Sequence, residues 1–110
     1  MERGKKISQF DVFWVTLDPS EGSEMAKTRP CVIISPNEMN DSLRTVIIAP
    51  MTSTMWPIPS RVKVFFNGQY RMIALDQIRS VSKSRINDYS GRWKSSETQA
   101  IKDILQDMFC

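Results

Sequence analysis

Three short clusters in this 110-residue chain hold side chains whose type and spacing could act on a ligand. In Lys27-Thr28-Arg29-Pro30 an arginine stands directly before a proline. The proline ring pushes its predecessor into extended geometry, so Arg29 is expected at a strand entrance beside a rigid neighbour. A surface arginine in a solvated loop is the plainer reading. Thr52-Ser53-Thr54 sets three hydroxyls directly after an apolar run. They either cap a strand end in a turn or donate to a phosphate. Asp76-Gln77 and Arg79 interrupt another apolar stretch, as a structural hydrogen-bonded group or as part of a site. Trp56 lies in a loop stiffened by Pro57 and Pro59, near Arg61. It suits either stacking on an unpaired base or covering the mouth of a barrel.

What is missing narrows the chemistry as much as what is present. The chain has no histidine, which excludes Ser-His-Asp triads, Cys-His nucleophiles and His-ligated metals. No clustered carboxylates stand at metal-ligand spacing, so no metal or other cofactor is expected. Cys31 and Cys110 do not form a CxxC pair; Cys31 sits in an apolar run and reads as a buried, inert thiol. Fifteen Lys and Arg against twelve Asp and Glu give a net charge of +3, which permits a nucleic-acid partner without requiring one. The sequence lacks an apolar run of about 18 residues, so no membrane span is expected. The opening Met1–Lys6 lacks the layout of a secretory leader, and with two unpaired cysteines the expected setting is a reducing cytoplasm.

The elements that would position these clusters are mostly strands. Asp11–Leu17 is aromatic and β-branched with near-alternating polarity. Cys31–Ile34 follows Pro30, and Thr45–Ala49 has the continuous apolar centre of a strand buried on both faces. Asn67-Gly68, between Val62–Phe65 and Tyr70–Ile73, is a strong hairpin signal. Ile78–Val81 is expected to continue the sheet. Ser96-Glu97-Thr98-Gln99 fits a capping box, after which Ala100, Ile101, Ile104, Leu105 and Met108 recur at helical spacing. Trp14 reads as core, and Trp93 as a staple or interface residue. With 41% apolar residues the chain suffices for one domain over residues 1–110. The pattern predicts a small, strongly bent sheet or barrel with one C-terminal amphipathic helix.

Five collinear segments resemble the MazF/Kid toxin family of bacterial toxin–antitoxin modules, nearer its MazF branch. They are Asp11-Val12 to Asp18-Pro19, Gly22-Ser23-Glu24, Thr28-Arg29-Pro30 through Ser35-Pro36 to Asn40, Ala49-Pro50-Met51-Thr52-Ser53, and Ala74-Leu75-Asp76-Gln77-Ile78-Arg79-Ser80-Val81 followed by Arg85. The resemblance implies an SH3-like β-barrel of about five to seven strands, a homodimer, and metal-independent, sequence-specific cleavage of single-stranded RNA. It also implies neutralisation by a cognate acidic antitoxin. The family's catalytic arginine and its hydroxyl partner fall on Arg29 and Thr52. Its RNA contacts fall on Ser53, Asp76, Gln77 and Arg79, with Glu24 on a common acidic position; Lys27 and Trp56 join them from the loops. Two positions depart from the family pattern. Met25-Ala26-Lys27-Thr28 replaces a more usual Gln-x-Gly, making that loop more positive, and Ala74 stands where Kid-like members carry an arginine.

This assignment agrees with the chemistry of the residues. RNA supplies its own nucleophile, the 2′-OH, so the protein need only position the phosphate and stabilise developing charge. A guanidinium donates bidentately to phosphate oxygens and stays charged. Glu24, Asp76 or water remain as general bases, and the products would be a 2′,3′-cyclic phosphate and a 5′-OH. Two other readings compete: a non-catalytic gyrase poison of the CcdB type, and a passive RNA-binding barrel. The first relies on a terminal Trp-Gly-Ile, whereas this sequence ends Asp107-Met108-Phe109-Cys110.

Overall fold

The computed structural model describes residues 6–17 and 27–110. Seven strands and two helices form from them: β1 (Asp11–Leu17), β2 (Lys27–Ile33), α1 (Asn37–Ser42), β3 (Thr45–Thr52), β4 (Arg61–Phe66), β5 (Gln69–Ala74), β6 (Arg79–Ser82), β7 (Ile86–Arg92) and α2 (Ser95–Phe109). The strands run β4-β5-β3-β2-β1-β7, with β6 added against β3, and every pairing is antiparallel. This is a mainly β fold, a curled half-barrel with a C-terminal helix. The expected hairpin forms at Asn67-Gly68, both at positive φ (50° and 82°), as a turn matched to strand twist demands.

The sheet buries both faces because alternation along each strand feeds two separate cores. On one face Val12, Val32, Ala49, Met51, Val64, Phe66 and Ile73 pack beneath Ile101 of α2. On the other, Phe13, Val15, Cys31, Ile33, Val46, Ile48, Val81 and Ile86 pack together. Trp14 lies half-buried against the first core, and Trp93 joins it beside Phe66.

Several boundaries differ from the sequence-based expectation. Strand β2 starts at Lys27, not after Pro30, because β1 supplies a ladder as far as Leu17 opposite Lys27. Strand β3 runs on to Thr52, where β5 pairs with it. Helix α2 begins at Ser95, and Ser96 is not its cap: the Ser96 hydroxyl donates to Glu97 and Gln99 donates to Asp103. Two elements were not expected at all. Strand β7 is one. The other is α1, whose buried Asn40 donates to the Ser35 carbonyl at 2.9 Å and accepts from the Ser35 hydroxyl at 2.6 Å.

Candidate functional site: a fork between two strands

Backbone direction explains why β2 and β3 part company. The Ile34 N–H donates to Ile47 on β3, while the Ile33 carbonyl accepts from Phe10 on the β1 side. Hydrogen-bonding groups alternate sides along a strand, so Pro30, like Ile34 and Val32, faces β3. Its imino nitrogen has nothing to donate. The β2–β3 register accordingly ends at Cys31 opposite Pro50. Pro50 faces the other way, at the point where β3 changes partner from β6, last paired at Ile48, to β5, first paired at Met51. A donor is not needed there. Two buried prolines thus mark a fork at which the sheet opens.

Arg29 and Thr52 are the first residues beyond the fork that share a face. Each lies two positions past the final Cys31–Pro50 pair, so strand alternation points both to the side that holds Cys31. Arg79 shares this face, because it pairs with Ile48, whose side chain belongs to the same core as Cys31. The field at Cys31 agrees with this placement. Burial pushes its thiol up to about 12, while the positive charges of Arg29 and Arg79 act to lower it. Cys31 is therefore a buried, protonated thiol within the field of Arg29 and Arg79, and its Sγ donates to the Arg29 carbonyl at 3.6 Å.

The donors at the fork differ in their commitments. Arg29 is half-buried, and its guanidinium makes no hydrogen bond or ion pair with another described residue. Thr52 Oγ1 accepts the Thr54 N–H at 3.1 Å, so it closes a turn and still has its hydroxyl proton to give. The turn-closing reading of that hydroxyl is the one the structure shows. Ser53 is exposed beside it, and Lys27 is exposed at the start of β2. Arg79 is engaged in interactions of its own. Glu24 lies outside the described residues.

The remaining candidates form a second group. Arg61 donates through Nε and a terminal nitrogen to the two Asp76 carboxylate oxygens, at 3.0 and 3.1 Å, and Ser60 Oγ adds a 3.1 Å bond. The Arg61 hydrogen bond, reinforced by Ser60, holds the Asp76 carboxyl below its ordinary value, and the same pair raises Arg61. The Arg61 guanidinium lies 5.7 Å from the centre of the Trp56 ring, which is 58% exposed. Sequence alone gave Arg61 only as a basic neighbour of Trp56; its spacing from Asp76 carried no signal, since the β4–β5 hairpin brings them together. Gln77 follows on an exposed turn. Among the described residues no three His, Cys, Asp or Glu side chains cluster as a metal site, and no helix is long and apolar enough to cross a membrane.

Comparison with known proteins bears on what such a fork is for. Residues 8–109 match the family model described as PemK-like, MazF-like toxin of type II toxin–antitoxin system. The chain is 33% identical over 95 residues to the endoribonuclease toxin MazF of Escherichia coli K12, covering 84% of each chain. The Mycobacterium tuberculosis toxin MazF-mt6 shares the fold with a TM-score of 0.77 at 20% identity, over 90% of this chain and 95% of that one. An endoribonuclease from a mycobacterial species, solved in complex with its cognate antitoxin, gives a TM-score of 0.74 at 22% identity over 92% of both chains.

Proposed function

Because this chain belongs to the PemK-like, MazF-like toxin family of type II toxin–antitoxin systems, we propose that it is an endoribonuclease toxin that cleaves single-stranded RNA at the fork between β2 and β3. The observation that carries the reading is the placement of Arg29 and Thr52 on one face, just past the rung that Pro30 interrupts. The 2′-OH gives its proton to water as it attacks the adjacent phosphorus, and the bond to the 5′ oxygen breaks as that oxygen takes up a proton from water. A 2′,3′-cyclic phosphate and a 5′-OH result. Arg29 stabilises the charge that builds on the non-bridging oxygens, with a fork of donors aimed at them before the reaction begins. Thr52 donates a hydrogen bond from its hydroxyl to one of those oxygens. No metal is needed for this chemistry, since RNA carries its own nucleophile and the guanidinium supplies the charge.

The two groups divide the work between chemistry and recognition. Asp76, held ionised by Arg61 and Ser60, is a weak base, and its place beside Trp56 suits recognition of flanking bases. Ser53, Lys27, Gln77 and Arg79, with Glu24 from the preceding loop, make up the rest of the RNA contacts. The toxin acts in the cytoplasm as a homodimer, supported by exposed Tyr89, Met108 and Phe109. It is neutralised by a cognate acidic antitoxin, as the mycobacterial relative's partner suggests.

The test is incubation with a long single-stranded RNA in EDTA, followed by sequencing of the 5′ ends. Cuts at a short motif leaving 5′-OH ends are expected, and Arg29→Ala should not make them. Activity lost in chelator and restored by Mg²⁺ or Mn²⁺ would overturn the metal-free mechanism. Normal cutting by Arg29→Ala would overturn the site.

A further inference from the structure

Beyond the fork, β2 has lost one of its two partners. Lys27, Thr28 and Arg29 pair with Leu17, Thr16 and Val15 on β1, while the β2–β3 register has ended at Cys31. Whatever fixes the end of β1 therefore fixes Arg29. The alternation that turns the Ile33 carbonyl toward the β1 side turns the peptide groups of Arg29 the same way. Val15 answers them from β1, because its neighbour Thr16 presents its carbonyl to the other side, where Arg85 donates to it at 3.2 Å. Val15 also closes the β1–β7 register, opposite Ile86. Ile86, Val15 and Arg29 thus make one row across three strands. Past that row two side chains take hold of β1. One is Arg85, just before β7; the other is Asn87, whose Nδ2 donates to Thr16 Oγ1 at 2.8 Å. Thr16 and Asn87 are both half-buried.

We propose that Thr16 and Asn87 are positioning residues for cleavage: their hydrogen bond clamps the end of β1 and, through the Val15–Arg29 rung, sets where the Arg29 guanidinium stands. This rests on the endoribonuclease reading above. Neither residue shares a face with Arg29. Thr16 alternates with Val15 and Asn87 with Ile86, and the side chains of Val15 and Ile86 lie in the core on the Arg29 side. Thr16 and Asn87 therefore project from the opposite face, and their influence on Arg29 runs through backbone. The other edge of β2 cannot supply the same constraint, since Pro30 has no N–H to bond β3. An electrostatic stabiliser works only when its donors are aimed before the charge develops. Supporting hydrogen bonds hold such a group to within about half an ångström, and the Thr16–Asn87 bond supplies one at the end of the strand on which Arg29 leans.

The experiment compares Thr16→Val, Thr16→Ser, Asn87→Ala and the Thr16→Val/Asn87→Ala double variant with the wild-type protein. Cleavage of a long single-stranded RNA is followed in EDTA, and amide hydrogen exchange is read residue by residue by NMR without RNA. Valine keeps the β-branched shape of threonine and removes only the hydroxyl. A displacement of about 1 Å costs a reaction roughly a hundredfold, so loss of one of the two bonds on Thr16 should lower kcat about tenfold, with KM unchanged. Asn87→Ala should match Thr16→Val, and the double variant should be no slower than either, because both remove the same bond. Thr16→Ser, which keeps the hydroxyl, should cut as the wild type does. The Arg29 amide, which faces β1, should exchange several-fold faster in Thr16→Val while the β3 amides keep their protection. Single variants with wild-type kcat overturn the clamp and leave the nuclease intact. A KM that rises alone overturns it too, by showing that these side chains meet RNA. Exchange that quickens equally across the sheet, with no rescue by Thr16→Ser, overturns it by showing that the pair serves stability only. Failure of the wild-type protein to cut any RNA would instead remove the reading on which the clamp rests.

Discussion

Arg29 and Arg61 are two arginines near one end of the same sheet, in opposite circumstances. Arg61, its side chain 6% exposed, commits two donors to Asp76 and lies over the Trp56 ring. Arg29 is half-buried, its charge acts on a protonated thiol, and its guanidinium has no acceptor among the described residues. A guanidinium carries five donors and accepts none. When the donors are matched within the fold, the residue fixes shape. When they converge at an opening, they are left to water or a ligand. On the proposed reading, hydrogen-bond accounting separates a scaffold arginine from a working one.

The largest test of this contrast is Arg29→Ala. Cleavage should fall about a hundred- to a thousand-fold, the effect of removing one transition-state donor, with the melting temperature unchanged within a degree or two. A folded variant that cuts normally would erase the distinction. Trp56→Ala should come next. Loss of roughly 1–3 kcal/mol of stacking should reorder the cleaved motifs in a 5′-end map while the chemical step, measured at saturating RNA, stays put. Thr52→Ala should slow cleavage by about tenfold, since a neutral hydroxyl contributes less than a charged fork.

Asp76→Asn should behave as the mirror image of Arg29→Ala. Its ion pair is partly solvated, so the stability loss should be about 1 kcal/mol after screening is counted. Its carboxyl is held below the ordinary 3.8 in the folded protein, so folding favours the ionised form. The contribution is complete above that value and is lost as pH falls through the lower, folded one. Acid unfolding of the wild-type protein should therefore include a component that Asp76→Asn lacks; identical acid titrations would show that the pair does not hold the loop. The smallest effect concerns the thiols. Under native conditions iodoacetamide should label Cys110 alone, and Cys31 only after denaturation.

The sequence was most readable where strand alternation or turn chemistry is strong. Asp11–Leu17 and the Asn67-Gly68 hairpin showed their alternation and turn chemistry openly. Strand β7 did not. Asn87, Asp88, Ser90 and Gly91 give it no apolar period, and its pairing with β1 is irregular, with Gly91 at φ 113°. Helix α1 was hidden because its hold is tertiary: Lys83, distant in sequence, donates to the Asn40 carbonyl. At the candidate site, Arg29 was placed at a strand entrance on the strength of Pro30, whereas β1 carries the strand past it. Thr52 could be read either way because a hydroxyl can close a turn and still donate. The engagement of Asp76 by Arg61 was out of reach, since only the folded hairpin brings the two together.

On the proposed reading Pro30 touches no substrate, yet it lies at the rung where the sheet opens beside Arg29 and Thr52. Its missing N–H withholds one donor from the β2–β3 ladder there. That absence is covalent, so it is the same whether or not ligand is bound. Efforts to retune such an enzyme by redesigning its exposed loops would vary what passes the gate and leave this buried imino acid, and the opening beside it, in place.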